Sequence, residues 1–373
     1  MTGQDSAGDT NSSTDTPDSR PATAGWNRTD VWVRLELLGL GLTAVLAILL
    51  LAFVACDWLR TLSGPLGTLG EQGFEAYTDT GASLDSALGT DLFGFPFVLR
   101  AIATGVFVGI VGPLVGAFLV HRQMALIGET LAHTAFAGVA VGVVLAGLTG
   151  LAGTSDQFVL VALVVSALSA IGLQWLTSHT DASGDVPIAI VLTGSFAVGT
   201  LLISWGREQF PIAIEVEDFL FGSLAIVTSD GTRLVAVLSI LVVALVVLNY
   251  KQFLFITFDE QAARVARIHV GRYNTLLVVL TAIVVVGAMQ ILGVILVAGL
   301  LVIPSAAASQ VARTFRETLY LSVLFGQVAV LGGLLFAIGA SLPPGGSIIV
   351  AAIIVYGLAL ALSGRQSGQG TAR

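Results

Sequence analysis

Of 373 residues, 55% are hydrophobic and 11% charged, and the mean hydropathy is +0.93; soluble globular chains average about 25% charged residues. Apolar runs long enough to cross a hydrocarbon layer of about 30 Å recur from Leu37 to Leu362, so an all-α, polytopic transmembrane bundle is expected. This composition excludes collagenous, disordered and nucleic-acid-binding classes, and the single cysteine, Cys56, excludes an intrachain disulfide and a cysteine zinc site.

Residues 1–33 are rich in Ser, Thr, Asp, Gly and Pro and are expected to form a disordered acidic tail. Residues 34–92 read as an additional transmembrane helix, about 37–55, followed by an extracellular acidic, Gly-rich loop. Much of the net charge of −8 sits in these two stretches, with acids at Asp57, Glu71, Glu75, Asp79, Asp85 and Asp91 in the loop. The main domain is expected at 93–364, with a short tail at 365–373.

Within that domain apolar segments fall at about 97–120, 126–149, 157–176, 186–205 and 232–249. The stretch 275–312 then has no Asp, Glu, Lys or Arg. One helix of that length would measure about 57 Å, nearly twice the hydrocarbon thickness, so two shorter helices with a turn near 290–293 are expected. Segments at about 318–341 and 347–363 complete a count of nine or ten. Splitting 275–312 also places Arg122, Lys251, Arg264, Arg267, Arg272, Arg313, Arg316 and Arg365 on one side, which the positive-inside rule makes cytoplasmic.

Ionisable groups at membrane depth cost about 2.5–3.5 kcal/mol on insertion scales and are functional candidates by default. Away from the segment ends, the apolar stretches hold one acid, Glu129, and one histidine, His133. At i and i+4 the two share a helical face. Carboxylate and imidazole together suit a divalent cation such as zinc or manganese. The same spacing also allows a mutually hydrogen-bonded buried pair or a proton relay.

On the cytoplasmic side, Asp259 and Glu260 head a short polar helix whose last turns carry Arg264 and Arg267, the order a helix dipole favours. Such a helix, with Ala263 inside it, suits docking of a partner; a basic loop that only fixes topology is the plainer alternative. On the outer side, Phe219, Phe221 and Gly222 follow a short acidic loop in a run too short to span, and form a candidate gate. No Gly-Lys-Ser or Gly-Lys-Thr nucleotide loop is present, so the chain is read as no enzyme and any ATP hydrolysis belongs to a partner.

Six stretches, in order, carry a family resemblance: GPLVGAFLVHRQMALIG at 112–128, LAHTA at 131–135, EDFLFG at 217–222, FDEQAA at 258–263, LVIPSAAA at 301–308 and LPPG at 342–345. From Phe97 to about Leu362 the chain resembles the membrane permease subunit of the zinc/manganese/iron family of ABC importers. The resemblance implies a type II importer fold in the plasma membrane. It implies a homodimer, two cytoplasmic ABC ATPase subunits and an extracytoplasmic metal-binding solute-binding protein. It also implies transported zinc, manganese or iron with no permanently bound cofactor. On this resemblance Glu129 and His133 match the family's metal path, and Asp259, Glu260, Ala263, Arg264 and Arg267 its coupling helix. The family more often has Asp where this chain has Glu129, and residues 1–92 have no counterpart. A permease for a metal-chelate or cobalamin, or a proton-coupled secondary transporter, are the rival readings.

Overall fold

The computed structural model describes residues 28–90, 92–149, 155–179, 186–210, 220–222, 227–294 and 297–368, and among them every regular element is a helix. In chain order these are α1 (Arg28–Leu59), α2 (Pro65–Leu88), α3 (Pro96–His121), α4 (Leu126–Thr149), α5 (Ser155–His179), α6 (Val186–Gln209) and α7 (Ser229–Leu248). After them come α8 (Tyr250–Phe258), α9 (Glu260–Val265), α10 (Val270–Leu292), α11 (Val297–Val311), α12 (Phe315–Ala340) and α13 (Pro344–Gly368). Nine of the described helices are long and apolar enough to cross a membrane. The tail expected at 1–33 lies outside the described residues up to position 27, and from Arg28 the chain is already helical. At the other end α13 runs on to Gly368, into the expected tail.

The uncharged stretch 275–312 does break in two. Helix α10 stops at Leu292 because Gly293 turns to φ 73°, a left-handed value that a Cβ disfavours. Helix α11, with 15 residues, is about 22 Å long and shorter than the hydrocarbon layer. Local signals set the other ends. Pro65 and Pro96 begin α2 and α3, where a missing N–H costs nothing. Thr314 caps α12 by accepting from the Glu317 N–H at 3.2 Å, while Glu317 Oε2 reaches back past the cap to accept from the Arg313 N–H at 2.8 Å.

Lipid tails are as apolar as the helices, so close backbone approach and interhelical hydrogen bonds must hold this bundle together. Helix α3 is the hub, packed on α1, α7, α10, α11 and α12. At Gly116 its backbone meets the Leu301 carbonyl of α11 so closely that a Cβ would not fit. Next to it Ser305 donates to the carbonyl of Pro113 at 3.1 Å, and Gln327 Nε2 of α12 donates to the carbonyl of Val106 at 2.8 Å. Helices α4, α5 and α6 form a second group, in which Thr134 and Ser166 hydroxyls lie 3.3 Å apart, and α10 packs against both groups.

The stretch expected as an outer loop is largely the helix α2, and this corrects the sequence reading. Its Gly-rich composition belongs to packing, not to looseness: α2 doubles back along α1, stacking Phe74 on Phe53 at 5.6 Å, with Tyr77 Oη donating to the Leu49 carbonyl at 2.9 Å. The hairpin is fixed to the hub by Asp57, which is 2% exposed. Its carboxylate faces Arg60 at 2.8 Å, Arg100 of α3 at 3.1 Å and Arg233 of α7 at 3.7 Å, and Arg233 Nη2 also donates to the Asp57 carbonyl at 2.6 Å. Past α2, Asp85 holds the link to α3 by accepting from Thr90 Oγ1 and from the N–H groups of Leu92, Phe93 and Gly94 at 2.7–3.0 Å.

Two outcomes follow from these acids. Asp57→Ala leaves three arginines without their shared buried anion and should cost about 3 kcal/mol of stability, read as a lower melting temperature in detergent; an unchanged melting temperature would show that the arginines are satisfied elsewhere. At Asp85, burial pushes the carboxyl up, but its hydrogen bonds outweigh this and hold it at about 2, below the ordinary 3.8. Its stabilising effect is therefore complete above about pH 4 and lost as pH falls toward 2, so the protection of the Leu92–Gly94 amides, taken relative to their intrinsic exchange rates, should fall in that window and hold steady above it.

Candidate functional site

The first turns of α4 present Glu129 and His133. Glu129 is exposed and His133 half-buried, while the residues between them, Thr130, Leu131 and Ala132, turn into the bundle. The Thr130 hydroxyl is buried, away from the exposed Glu129, and donates to the Leu126 carbonyl at 3.0 Å. The His133 ring stands edge-on to Phe196 of α6 with centroids 5.1 Å apart, and Phe196 stacks in turn on Phe136 at 5.7 Å. That aromatic wall fixes the imidazole plane. Nδ1 of His133 is buried and has no hydrogen-bond partner among the described residues. This is not the mutually satisfied pair that the spacing also allowed: one nitrogen is free, and the carboxylate one turn away faces outward. Among the described residues no third Asp, Glu, His or Cys joins them, so two donors per chain are on offer.

The coupling segment forms a compact foot. Asp259 accepts from the Ala262 N–H at 2.8 Å and so caps α9. Ala263 is fully buried against Ile256 and Val270, which seats the helix on the bundle. Glu260 Oε1 meets Arg264 Nη2 at 2.6 Å. Arg267 falls outside the helix expected to contain it: α9 ends at Val265, and Arg267 sits in the turn beyond with φ 60°. Two large apolar side chains flank the foot in the open, Phe258 at 63% and Val265 at 85% exposure. Exposed apolar groups beside an acid–base pair make a surface suited to a protein partner.

The ring of His121 packs on Phe315 at 4.8 Å, and Phe258 packs on the same ring at 5.4 Å. The ends of α3 and α8 and the start of α12 therefore share one end of the bundle, as the division of 275–312 requires. Of the candidate gate, Phe219 lies outside the described residues. Gly222 is buried with φ 77°, and the backbone at Leu220–Gly222 meets Gly293 and Gly345 too closely for a Cβ at either. Phe221 remains about half exposed. Sequence reasoning missed Arg122 and Asn274, which meet at 2.8 Å beside the foot; nothing local marks that pair, because its members sit on different helices.

A model of the ABC 3 transport family matches residues 94–363, and the chain belongs to that family. It is 29% identical over 275 residues to the manganese transport system membrane protein MntC of Listeria monocytogenes, covering 74% of this chain and 94% of the relative. It is 24% identical over 266 residues to the high-affinity zinc uptake system membrane protein ZnuB of Haemophilus influenzae, covering 71% and 97%. Among solved structures, PsaBC from Streptococcus pneumoniae in complex with Fab superposes with a TM-score of 0.61 at 29% identity, covering 71% of this chain and 91% of that one. The hairpin α1–α2 lies before the family match.

The cap offers a direct check on the foot. Asp259→Ala should destabilise α9 by about 1 kcal/mol, seen as about fivefold faster local amide exchange at Ala262 and Ala263 with the membrane helices unaffected. Unchanged exchange would mean that the buried Ala263 alone holds the helix.

Proposed function

We propose that this chain is the permease subunit of an ATP-driven importer of divalent metal ions, zinc or manganese before iron. Relatives with zinc and manganese uptake names align over nearly their whole length, and the open His133 Nδ1 one turn from an exposed Glu129 carries the reading at the level of residues. Two such chains form the importer, and in each the carboxylate and the imidazole make a two-donor station for a partly dehydrated cation. A complete structural zinc site takes four ligands and holds its ion. Two donors hold one loosely, and a path needs that looseness so the ion can leave.

The energy comes from two ATPase subunits seated on the foot formed by α8 and α9, where Phe258, Val265 and the Glu260–Arg264 pair face out. An extracytoplasmic binding protein delivers the metal at the other end, near the segment Leu220–Gly222. No resident cofactor is needed, since metal ions pass through as cargo. The extra methylene of Glu129, relative to the aspartate more usual in the family, lengthens the reach of the carboxylate and so bears on which metal fits.

The experiment is uptake of zinc, manganese and iron in cells lacking their own systems and producing this chain with its ATPase and binding protein, with wild type beside Glu129→Ala and His133→Ala. Loss of a metal-orienting contact commonly costs 10–100-fold, so uptake of one metal should fall at least about tenfold in both variants while membrane levels of the chain hold. Normal uptake in both would remove the pair from the path. Wild-type cells that take up none of the three metals would overturn the transport reading itself.

A further inference from the structure

Arg122 closes α3 with its side chain only 9% exposed. A guanidinium stays charged in proteins, so its burial requires acceptors. It finds two on the segment that carries the foot: Asn274 Oδ1 of α10 at 2.8 Å and Glu260 Oε2, the first residue of α9, at 3.7 Å. On its other side Arg122 is joined to α4 by only three residues, Gln123–Ala125, and that turn is tightly wound. The N–H groups of Arg122, Gln123 and Met124 donate to the carbonyls of Phe118, Val120 and Leu119 at 2.8–3.1 Å, and Gln123 takes a left-handed φ of 57°. The Ile127 N–H then donates to the Met124 carbonyl at 3.1 Å, continuing straight into the helix that bears Glu129 and His133.

We propose that Arg122 is the positioning residue that ties the coupling foot to the metal-path helix. Movement of α9 under the ATPase is passed through Glu260 to Arg122, and the stiff turn carries it into the first turns of α4. A pair at 3.7 Å with a partner 40% exposed adds little stability. Its use is register: Arg122 meets α9 and α10 with its side chain while its backbone heads the turn before α4. This inference rests on the ATP-driven permease reading above.

The test is a double-mutant cycle in proteoliposomes holding the permease with its ATPase, measuring metal ions moved per ATP hydrolysed for wild type, Arg122→Gln, Glu260→Gln and the double variant. Each single substitution should lower that ratio about tenfold, the double no further than either, and Arg122→Lys should recover most of the loss by keeping the cation. Losses that multiply in the double variant, an unchanged ratio, or a fall matched by loss of ATPase association would overturn the tether. Should Arg122→Gln not fold, Glu260→Gln on the exposed helix decides alone by the same ratio. Wild type that moves no metal with ATP would instead sink the permease reading, which keeps the two failures apart.

Discussion

A hydrogen-bonding group left unanswered inside an apolar bundle costs several kcal/mol, because no water is there to replace its partner. The structure is organised around that penalty. Threonine and serine hydroxyls in the membrane helices turn back on their own backbone, as Thr104 does to Arg100, Thr281 to Leu277 and Ser322 to Thr318, at 2.6–2.9 Å. Ser305 of α11 turns back to the Leu301 carbonyl at 3.2 Å and also reaches across to the Pro113 carbonyl of α3 at 3.1 Å. Against this economy His133 stands out. Among the described residues Arg233, Gln252 and Gln327 also carry a buried atom without a partner; Arg233 is held by Asp57 and Asp230 and Gln327 by Val106 through their other polar atoms, and Gln252 shares with His133 the lack of a partner at its buried atom. The imidazole has an aromatic wall and an open nitrogen. Such a group persists where it is used.

Legibility from the sequence tracked the range of the interaction. Helix α4 and its Glu129–His133 pair were readable because an i, i+4 relation is local. So was the break at Gly293, where length alone forbade a single helix. The cap at Asp259 was readable for the same reason, and only the overrun to Arg267 was misplaced, since nothing nearby signalled that α9 closes after six residues. Helix α2 was hidden. Its acids and glycines have the composition of a loop, and it becomes a helix by lying on α1, with Gly67, Gly70 and Gly73 so close to the end of α1 that side chains would collide. The partners of Asp57 lie 43 and 176 residues along the chain at Arg100 and Arg233. No window of sequence contains that cluster, and the tether from Arg122 to Glu260 was unreadable for the same reason.

These long-range contacts divide the labour within the bundle. Helix α3 is anchored at one end by Arg100 on Asp57, in the middle by Ser305 and Gln327, and at the other end by His121 in its aromatic cluster. The hairpin α1–α2 joins the same frame through Asp57. Helices α4, α5 and α6 have a different kind of interface, small residues and aromatic edges, with the Ser166 hydroxyl meeting Thr134 and the Leu131 carbonyl. Charge pins the first group, and packing alone shapes most of the second.

That contrast bears on how a path opens. Alternating access needs one part of a chain to hold still while another changes its angle, and cores shift between discrete packings rather than deform continuously. The helix that bears Glu129 and His133 belongs to the group that has no buried ion pair among the described residues, is joined to the anchored frame by the wound turn Gln123–Ala125, and packs on α10 and α11. Lifting α4 against α3 breaks no charge pair within the bundle, whereas moving α3 against the hairpin would expose Asp57 and its arginines. The cheaper motion therefore carries Glu129 and His133 with it, and the added hairpin makes the frame it moves against harder to displace.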